Sequence, residues 1–263
     1  MQPFLKWAGG KRWLFTSSFI EKLPPFRRYI EPFLGGGAGF FALQPNSAII
    51  SDINSDLIEL YRLLRDEPEA MGLAMSEHQE KHSKEYYYSM RAALPSDPVG
   101  RAARTLYLNR TCWNGLYRLN RKGEFNVPIG TKNSIVIPGE DFGAISRILQ
   151  KAEIHAQDFE KTIECAQEGD LLFVDPPYTV KHNINGFVKY NESIFSWSDQ
   201  LRLRDALDSA RRRGASIIVT NADHASVKEL YSDLGALSSV SRSSVISGKS
   251  TGRATITELM VVI

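Results

Sequence analysis

Asp175-Pro176-Pro177-Tyr178 follows the apolar run Leu171-Leu172-Phe173-Val174 directly. Two successive prolines can neither continue a strand ladder nor enter a helix interior, so the chain must leave the strand end as a rigid extended corner. The carboxyl ends of strands are where α/β sheets hold ligands. This corner offers the carboxylate of Asp175, the carbonyl of Pro176, the stiffness of Pro177 and the aromatic face of Tyr178. An amine attacking a methyl sulfonium needs such partners, because two acceptors orient the nitrogen and stabilise the positive charge it gains. Tyr178 could stack on a flat base. In isolation the tetrapeptide could be a plain loop, but its place behind a buried-strand run argues against that.

Three further segments carry polar chemistry. Phe33, Gly35 and Gly37 belong to a glycine-dense turn between a strand and a helix, and Asp52 closes the next strand. Such a turn lets the backbone approach a nucleotide, and the acid can accept from ribose hydroxyls. Phe40 stands where the third glycine of G-x-G-x-x-G would be, which leaves adenosine-containing ligands in general, or a tight structural turn. The run Asn109-Arg110-Thr111-Cys112-Trp113-Asn114-Gly115-Leu116-Tyr117-Arg118-Leu119-Asn120 interleaves basic, amide and aromatic groups. Arginine can bind the guanine edge bidentately while amides contact other bases or phosphates. The alternative is a hairpin packed on the core through Trp113 and Leu116, the preferred reading for Trp113. Finally, His78 and His82 lie four apart, but in HQEKH order rather than the H-E-x-x-H of a zinc site. A solvated helical face is the expectation there, with no metal.

These groups need a sheet to position them. Strands are expected at Arg28 to Glu31, Ser47 to Ser51, Glu153 to Ala156, Asp170 to Asp175, Ala215 to Thr220 and Glu258 to Ile263, completing the strand inventory. The strand, turn, helix, strand opening is that of a parallel α/β sheet. From Leu57 to about Gln150 helical patterns dominate, broken at Pro95, Pro98 and Gly100. A helix from about Asp199 to Arg213 has Ser196 as its N-cap, with Asp199 reaching back, and stops at Gly214. The sheet is therefore split around a helical insert. A chain of 263 residues, 43% of them hydrophobic, buries a core of ordinary size without staples. Cys112 and Cys165 form no C-x-x-C pair and are expected as reduced cytoplasmic thiols. No signal-peptide core or apolar run of roughly 20 residues is present, so no membrane span is expected. The net charge of +2 decides nothing. Arg101, Arg104, Arg110, Arg118, Arg121, Lys122 and Lys132 are opposed locally only by Glu124. That is either a polyanion-binding surface or a solvated helix face followed by a basic loop.

Four motifs in one order, Phe4-Leu5-Lys6-Trp7-Ala8-Gly9-Gly10-Lys11, Glu31-Pro32-Phe33-Leu34-Gly35-Gly36-Gly37-Ala38, Asn114-Gly115-Leu116-Tyr117-Arg118 and Asp175-Pro176-Pro177-Tyr178, resemble the Dam-type DNA adenine methyltransferases. The resemblance runs from Phe4 nearly to the C-terminus. It implies a Rossmann-like α/β methyltransferase sheet, residues 1–55 and 151–263, with a mostly helical target-recognition domain inserted at residues 56–150. It also implies S-adenosylmethionine as cofactor and double-stranded DNA as substrate. The product would be adenine methylated on its 6-amino group after base flipping, in GATC or a related site.

Carried over by position, the cofactor contacts fall on Trp7, Lys11, Phe33, Gly35, Gly37, Asp52, Asp158, Phe159 and Asp175. Without the other motifs, Trp7 and Lys11 would be a packing anchor and a surface charge. DNA contacts fall on Lys6, Asn114, Leu116, Arg118, Asn120 and Pro128, with Arg118 placed to read a guanine. Thr131-Lys132 stands where GATC-reading members often carry Arg-Tyr. By resemblance the enzyme is a cytoplasmic monomer, and a cognate restriction endonuclease would be a separate protein. The competing readings are methylation of the exocyclic amine of cytosine, a protein-glutamine or RNA methyltransferase, and a DNA-binding protein without activity.

Overall fold

The computed structural model describes residues 1–120, 123–181, 195–243 and 255–263. Its elements are α1 (Ser17–Ile20), β1 (Arg28–Glu31), α2 (Ala38–Leu43), β2 (Ala48–Asp52), α3 (Ser55–Asp66), α4 (Pro68–Lys81), α5 (Lys84–Ala92) and α6 (Pro98–Thr111). A 3-10 turn at Trp113–Gly115 precedes α7 (Phe142–Leu149), β3 (Ala152–Ala156), α8 (Phe159–Glu164), β4 (Asp170–Val174), α9 (Trp197–Arg212), β5 (Ser216–Ala222), α10 (Ala225–Tyr231), β6 (Ala236–Ser243) and β7 (Thr255–Val262). The strands form one seven-stranded sheet in the order β3-β2-β1-β4-β5-β7-β6. β2, β1, β4 and β5 pair in parallel, and β7 runs antiparallel to both β5 and β6. This is a Rossmann-like α/β sheet, the architecture that the motif resemblance implies. Among the described residues no helix is long and apolar enough to cross a membrane.

Two compact units divide the chain. One comprises Met1–Phe15, Leu34–Asn46 and Ser51–Ala156; the other comprises Thr16–Phe33, Ser47–Ile50 and Gln157–Ile263. In the second, every residue of β4 is buried, which explains its unbroken apolar run: a central parallel strand is covered on both faces. Ile30, Ile49, Leu172, Val174, Ile217 and Val219 pack with Leu203 and Leu207 of α9 in its core. α9 begins with the expected capping box, Ser196 accepting from Asp199 N while Asp199 accepts from Ser196 N. In the first unit α3 buries Leu57, Ile58, Leu60, Tyr61 and Leu64 on one stripe, capped by Asn54, and packs on α4, α6 and α7.

Four local expectations are corrected. β6 is an additional strand that the pattern missed: Ser238, Ser239, Ser241 and Ser243 dilute its apolar signal, and it pairs only with β7 at the sheet edge. Pro98 opens α6 rather than breaking a helix, because a proline at the first turn forfeits no intrahelical bond, and Gly100 lies inside that helix, its N–H donating to the Asp97 cap. Among the described residues of 112–130 the helical part is limited to the 3-10 turn at Trp113–Gly115; isolated bridges Cys112↔Ile129 and Leu119↔Phe125 hold the segment as an irregular hairpin. His78, expected on a solvated face, is buried: its ring stacks on Tyr107, with centroids 4.6 Å apart, and its Nδ1 shares a 2.8 Å hydrogen bond with the Tyr86 hydroxyl. His82 Nδ1 pairs with the Tyr107 hydroxyl at 2.9 Å. Among the described residues no cluster of three or more His, Cys, Asp or Glu could hold a metal.

The first unit also buries an ion pair. Arg110 bridges both carboxylate oxygens of Glu140 and donates to the carbonyls of Ile135 (2.6 Å) and Phe4 (3.3 Å). Removing one partner of a buried pair strands the other charge without water. Glu140→Ala is expected to lower unfolding stability by about 3–5 kcal/mol, whereas removing Glu77 from its exposed pair with Lys81 should leave a urea transition unmoved. His78 supplies a pH test. Burial lowers its pKa from 6.5 to about 4, so the unfolded chain takes up the proton first as pH falls. The stability from this group is complete above pH 6.5 and declines as pH drops towards 4. His78→Asn should flatten that part of the stability–pH curve.

Candidate active site and nucleic-acid interface

In the second unit, β4 ends at Val174 and Asp175-Pro176-Pro177-Tyr178 leaves the sheet without regular structure. The corner is held from several sides. Thr220 of β5 donates its hydroxyl to Asp175 Oδ1 at 2.7 Å, and Tyr178 donates to Glu258 Oε2 of β7 at 2.6 Å. Behind it the Thr179 hydroxyl bonds the Phe195 carbonyl at 2.5 Å, and Gln200 Nε2 reaches the Thr179 carbonyl and Asn221 Oδ1, each at 3.4 Å. Gln200 Oε1 in turn accepts from Asn221 and Tyr231. A paired buried polar network of this kind fixes geometry, because each bond broken would leave a group without water or partner. Burial, then the Asp175 and Glu258 carboxylates, push the Tyr178 hydroxyl far above its ordinary pKa and keep it a donor. The acid of the glycine-turn motif, Glu31, is also buried and accepts from the Tyr29 hydroxyl at 3.0 Å.

The same unit gathers Phe33, Asp158 and Phe159. The Phe33 and Phe159 rings stack at 5.3 Å, with Phe195 edge-on to Phe33 at 5.6 Å. Asp158 caps α8 by accepting from Glu160 N. Arg202 lies over the Phe159 ring at 4.9 Å and binds Asp158 (3.0 Å), Glu160 (2.5 Å) and Asp199 (2.9 Å). The Glu160 hydrogen bond is the first cause of the raised Arg202 pKa.

In the first unit Trp7, Gly35, Gly37 and Asp52 come together. The Trp7 indole occupies the space over Gly35, whose φ is +47°; a Cβ there would lie 2.8 Å from Trp7 Cδ1. Gly37, at φ +65°, faces the Tyr61 hydroxyl, which a Cβ would approach to 3.0 Å. Asp52 accepts from Gly35 N at 2.9 Å and Asn54 N at 3.0 Å, and the Tyr61 hydroxyl donates to the Gly35 carbonyl at 3.1 Å. Burial raises the Asp52 pKa against the pull of those backbone N–H groups. Lys11 is not the surface charge of the alternative reading: it is 2% exposed, with Nζ donating to the Gly9 carbonyl at 2.7 Å.

The irregular hairpin adjoins this N-terminal segment within the same unit. Asn109 grips the Lys6 backbone twice, accepting from its N–H at 3.2 Å and donating to its carbonyl at 2.8 Å. A Cβ on Gly115 would lie 2.7 Å from Lys6 Cδ, and Tyr117 stacks on Trp7 at 5.5 Å and 20°. Lost hydration and then the Lys132 charge lower the Lys6 pKa. Lys6, Asn114, Leu116, Arg118 and Pro128 are exposed. Asn114 is held at φ +56°, and Arg118 Nε donates to Asn126 Oδ1 at 3.2 Å. Asn120 is bound at both ends of its amide to Glu124 within the turn, and the Pro128 carbonyl accepts from Trp113 N. Core packing of Trp113 and Leu116 is overturned: they are 52% and 39% exposed. Phe125 and Val127 are the buried apolar anchors of this hairpin, with Tyr117 packed against Phe125 and Trp7, which leaves Trp113 and Leu116 on the outside. Arg121 and Lys122 of the basic run lie outside the described residues.

Sequence reasoning assigned no role to Asn109, Thr220, Glu258 or Arg202. The one available signal was Glu258, an acid inside an otherwise apolar strand; hydroxyl, amide and guanidinium partners of a motif leave no periodic trace.

The chain matches the D12 class N6 adenine-specific DNA methyltransferase family over residues 7–245. It is 38% identical over 272 positions to the Type II methyltransferase M1.LlaDCHI of Lactococcus lactis subsp. cremoris, covering 99% of this chain and 95% of that protein. It is 39% identical over 238 positions to the DNA N-6-adenine-methyltransferase of Escherichia phage P1, covering 89% of this chain and 31% of that protein. With the DNA adenine methylase of Vibrio cholerae it shares 32% identity over 264 positions, 98% of this chain and 95% of the relative. The resemblance carried by the four motifs thus holds along the whole chain, which belongs to the D12 class N6 adenine-specific DNA methyltransferases.

Proposed function

We propose that this methyltransferase uses S-adenosylmethionine to methylate the 6-amino group of adenine in double-stranded DNA, on a base turned out of the helix, within GATC or a related site. The observation that carries the reading is the Asp175 carboxylate, presented at the end of β4 and steadied by Thr220. The residues suit an adenosine-bearing ligand. The Asp52 carboxylate, held by backbone N–H groups, retains lone-pair capacity for a ribose hydroxyl. Gly35, Gly37, Trp7 and Lys11 shape the backbone beside it, and Asp158 with the Phe33 and Phe159 rings offers an acceptor and flat apolar faces. When bound, the cofactor supplies an electrophilic methyl on a sulfonium.

Asp175 and the Pro176 carbonyl accept from the amine, fix its direction and stabilise the charge it gains; Pro177 holds the corner stiff and Tyr178 supports the base. Turning a base out of the stack costs a few kcal/mol, which stacking and these two acceptors offset. Lys6, Asn114, Leu116, Arg118, Asn120 and Pro128 contact DNA, Arg118 reading a guanine edge. In the same reading residues 1–55 and 151–263 form the catalytic domain and residues 56–150 the target-recognition domain. The enzyme acts as a cytoplasmic, DNA-associated monomer, and a cognate endonuclease is a separate polypeptide.

Labelled S-adenosylmethionine and unmodified DNA, with modified positions mapped by sequencing, test this directly. Methyladenine confined to one short motif is expected; methylcytosine, or no transfer to DNA, would sink the proposal. Asp175→Ala should reduce turnover by at least about 10²-fold, as for loss of one transition-state acceptor or donor, while retaining DNA affinity. Arg118→Ala should relax selection at one guanine by about 1–3 kcal/mol, measured as turnover on singly substituted duplexes.

A further inference from the structure

Glu258 is a carboxylate in the wrong place for a structural residue. It is 3% exposed on β7, opposite Ala222 of β5 and Val240 of β6, and is followed by the buried Leu259 and Val261. An ionised group taken from water at such a position is costly unless it is hydrogen-bonded. Its Oε2 accepts the Tyr178 hydroxyl proton at 2.6 Å, the short distance of a charge-assisted bond. Thr220, on the strand between β4 and β7, donates to Asp175 at 2.7 Å. The phenol that follows β4 is therefore tied to an acid two strands away, and Asp175 beside it to the strand between.

We infer that Glu258 is a positioning residue that acts through Tyr178, setting the plane of its ring and enriching its electron density. The proposal rests on the reading of the Asp175–Tyr178 corner as the catalytic motif. A tyrosine ring has two rotatable bonds, and its own backbone fixes only one end. With the hydroxyl held at the far end, the ring is ready before a base arrives, so no ordering is required on binding. A phenol donating to a carboxylate also carries a more negative face. A base gains positive charge as its amine is alkylated, and a negative ring face favours that state over the neutral one. The contact should therefore favour the transition state over the bound substrate and govern kcat more than affinity.

The test compares Glu258→Gln, which keeps the shape and a neutral acceptor, Glu258→Leu, which removes the acceptor, and Tyr178→Phe, which removes the donor. Each is made in the full chain, alone and combined. Single-turnover methyl transfer is expected to fall about threefold in Glu258→Gln and about tenfold in Glu258→Leu, in line with weakening and then losing a charge-assisted bond. Affinities for S-adenosylmethionine and duplex DNA should stay within about twofold of the parent. In the Tyr178→Phe background either change at Glu258 should have no further effect. Losses that multiply in the combined variants, or a Glu258→Gln enzyme with parental kcat, would overturn the inference. If Glu258→Leu does not fold, the Glu258→Gln pair decides alone. Ring-labelled tyrosine spectra of the protein without ligand give a readout independent of activity. The resonance that disappears in Tyr178→Phe should shift in Glu258→Gln, and an unmoved resonance refutes the contact. Should the parent chain methylate no DNA, the functional reading fails while these spectra still judge the contact.

Discussion

The main chain that follows β4 runs out of N–H donors immediately after Asp175. Pro176 and Pro177 have no N–H to offer a neighbouring strand, so the ladder that pairs Val174 with Val219 cannot continue, and the backbone must turn out of the sheet. Everything at the corner follows from that termination. The Asp175 side chain emerges at the carboxyl end of a fully buried strand, where the backbone is rigid and a polar side chain can reach outwards. What prolines cannot provide in ladder bonds is replaced from neighbouring residues: the Thr220 hydroxyl on Asp175, the Glu258 carboxylate on Tyr178, the Gln200 amide and the Phe195 carbonyl on Thr179. The corner is thus clamped by β5, β7 and α9, elements that lie late in the chain.

The N-terminal segment is governed by a different constraint, close packing against glycine. Trp7 lies against Gly35 and Gly36 so tightly that a side chain at Gly35 would collide with the indole. The Gly35 N–H is thereby presented to Asp52 and its carbonyl to Tyr61. Tyr117 stacks on the Trp7 indole, and Asn109 pairs with the Lys6 backbone as a strand would. Trp7, Gly35 and Asp52 are consequently neighbours of Lys6 and the irregular hairpin within one packed unit.

The guanidinium groups of Arg110 and Arg202 are each held by several partners. Arg110 satisfies Glu140 and two carbonyls; Arg202 satisfies three carboxylates and covers a phenylalanine ring. Both exploit the planar guanidinium, whose forked donors serve several acceptors at once. His78 takes the opposite course, remaining neutral in a cage of tyrosine rings. What looked in the sequence like a polar helix face is therefore partly interior, which periodicity could not reveal because histidine and tyrosine count as polar and apolar by turns.

Much of the molecule was legible before its structure. Strand runs, the capping box of α9 and the order of the four motifs are local properties, written in the period of apolar residues, in proline's missing N–H and in short capping spacings. They were enough to place the sheet, to single out Asp175 and Asp52 as candidate acids and to indicate the family. The edge strand β6 escaped because a strand paired on one side needs little apolar patterning. Trp113 was misjudged because whether a large ring is buried depends on what lies opposite it, and no local rule supplies that. Tertiary structure alone decided that Asn109 braces Lys6, that Arg202 holds Asp158 and that Glu258 reaches Tyr178 across 80 residues of sequence. Those partnerships join positions far apart in the chain, and side-chain hydrogen bonds between distant residues impose no spacing that a single sequence can display.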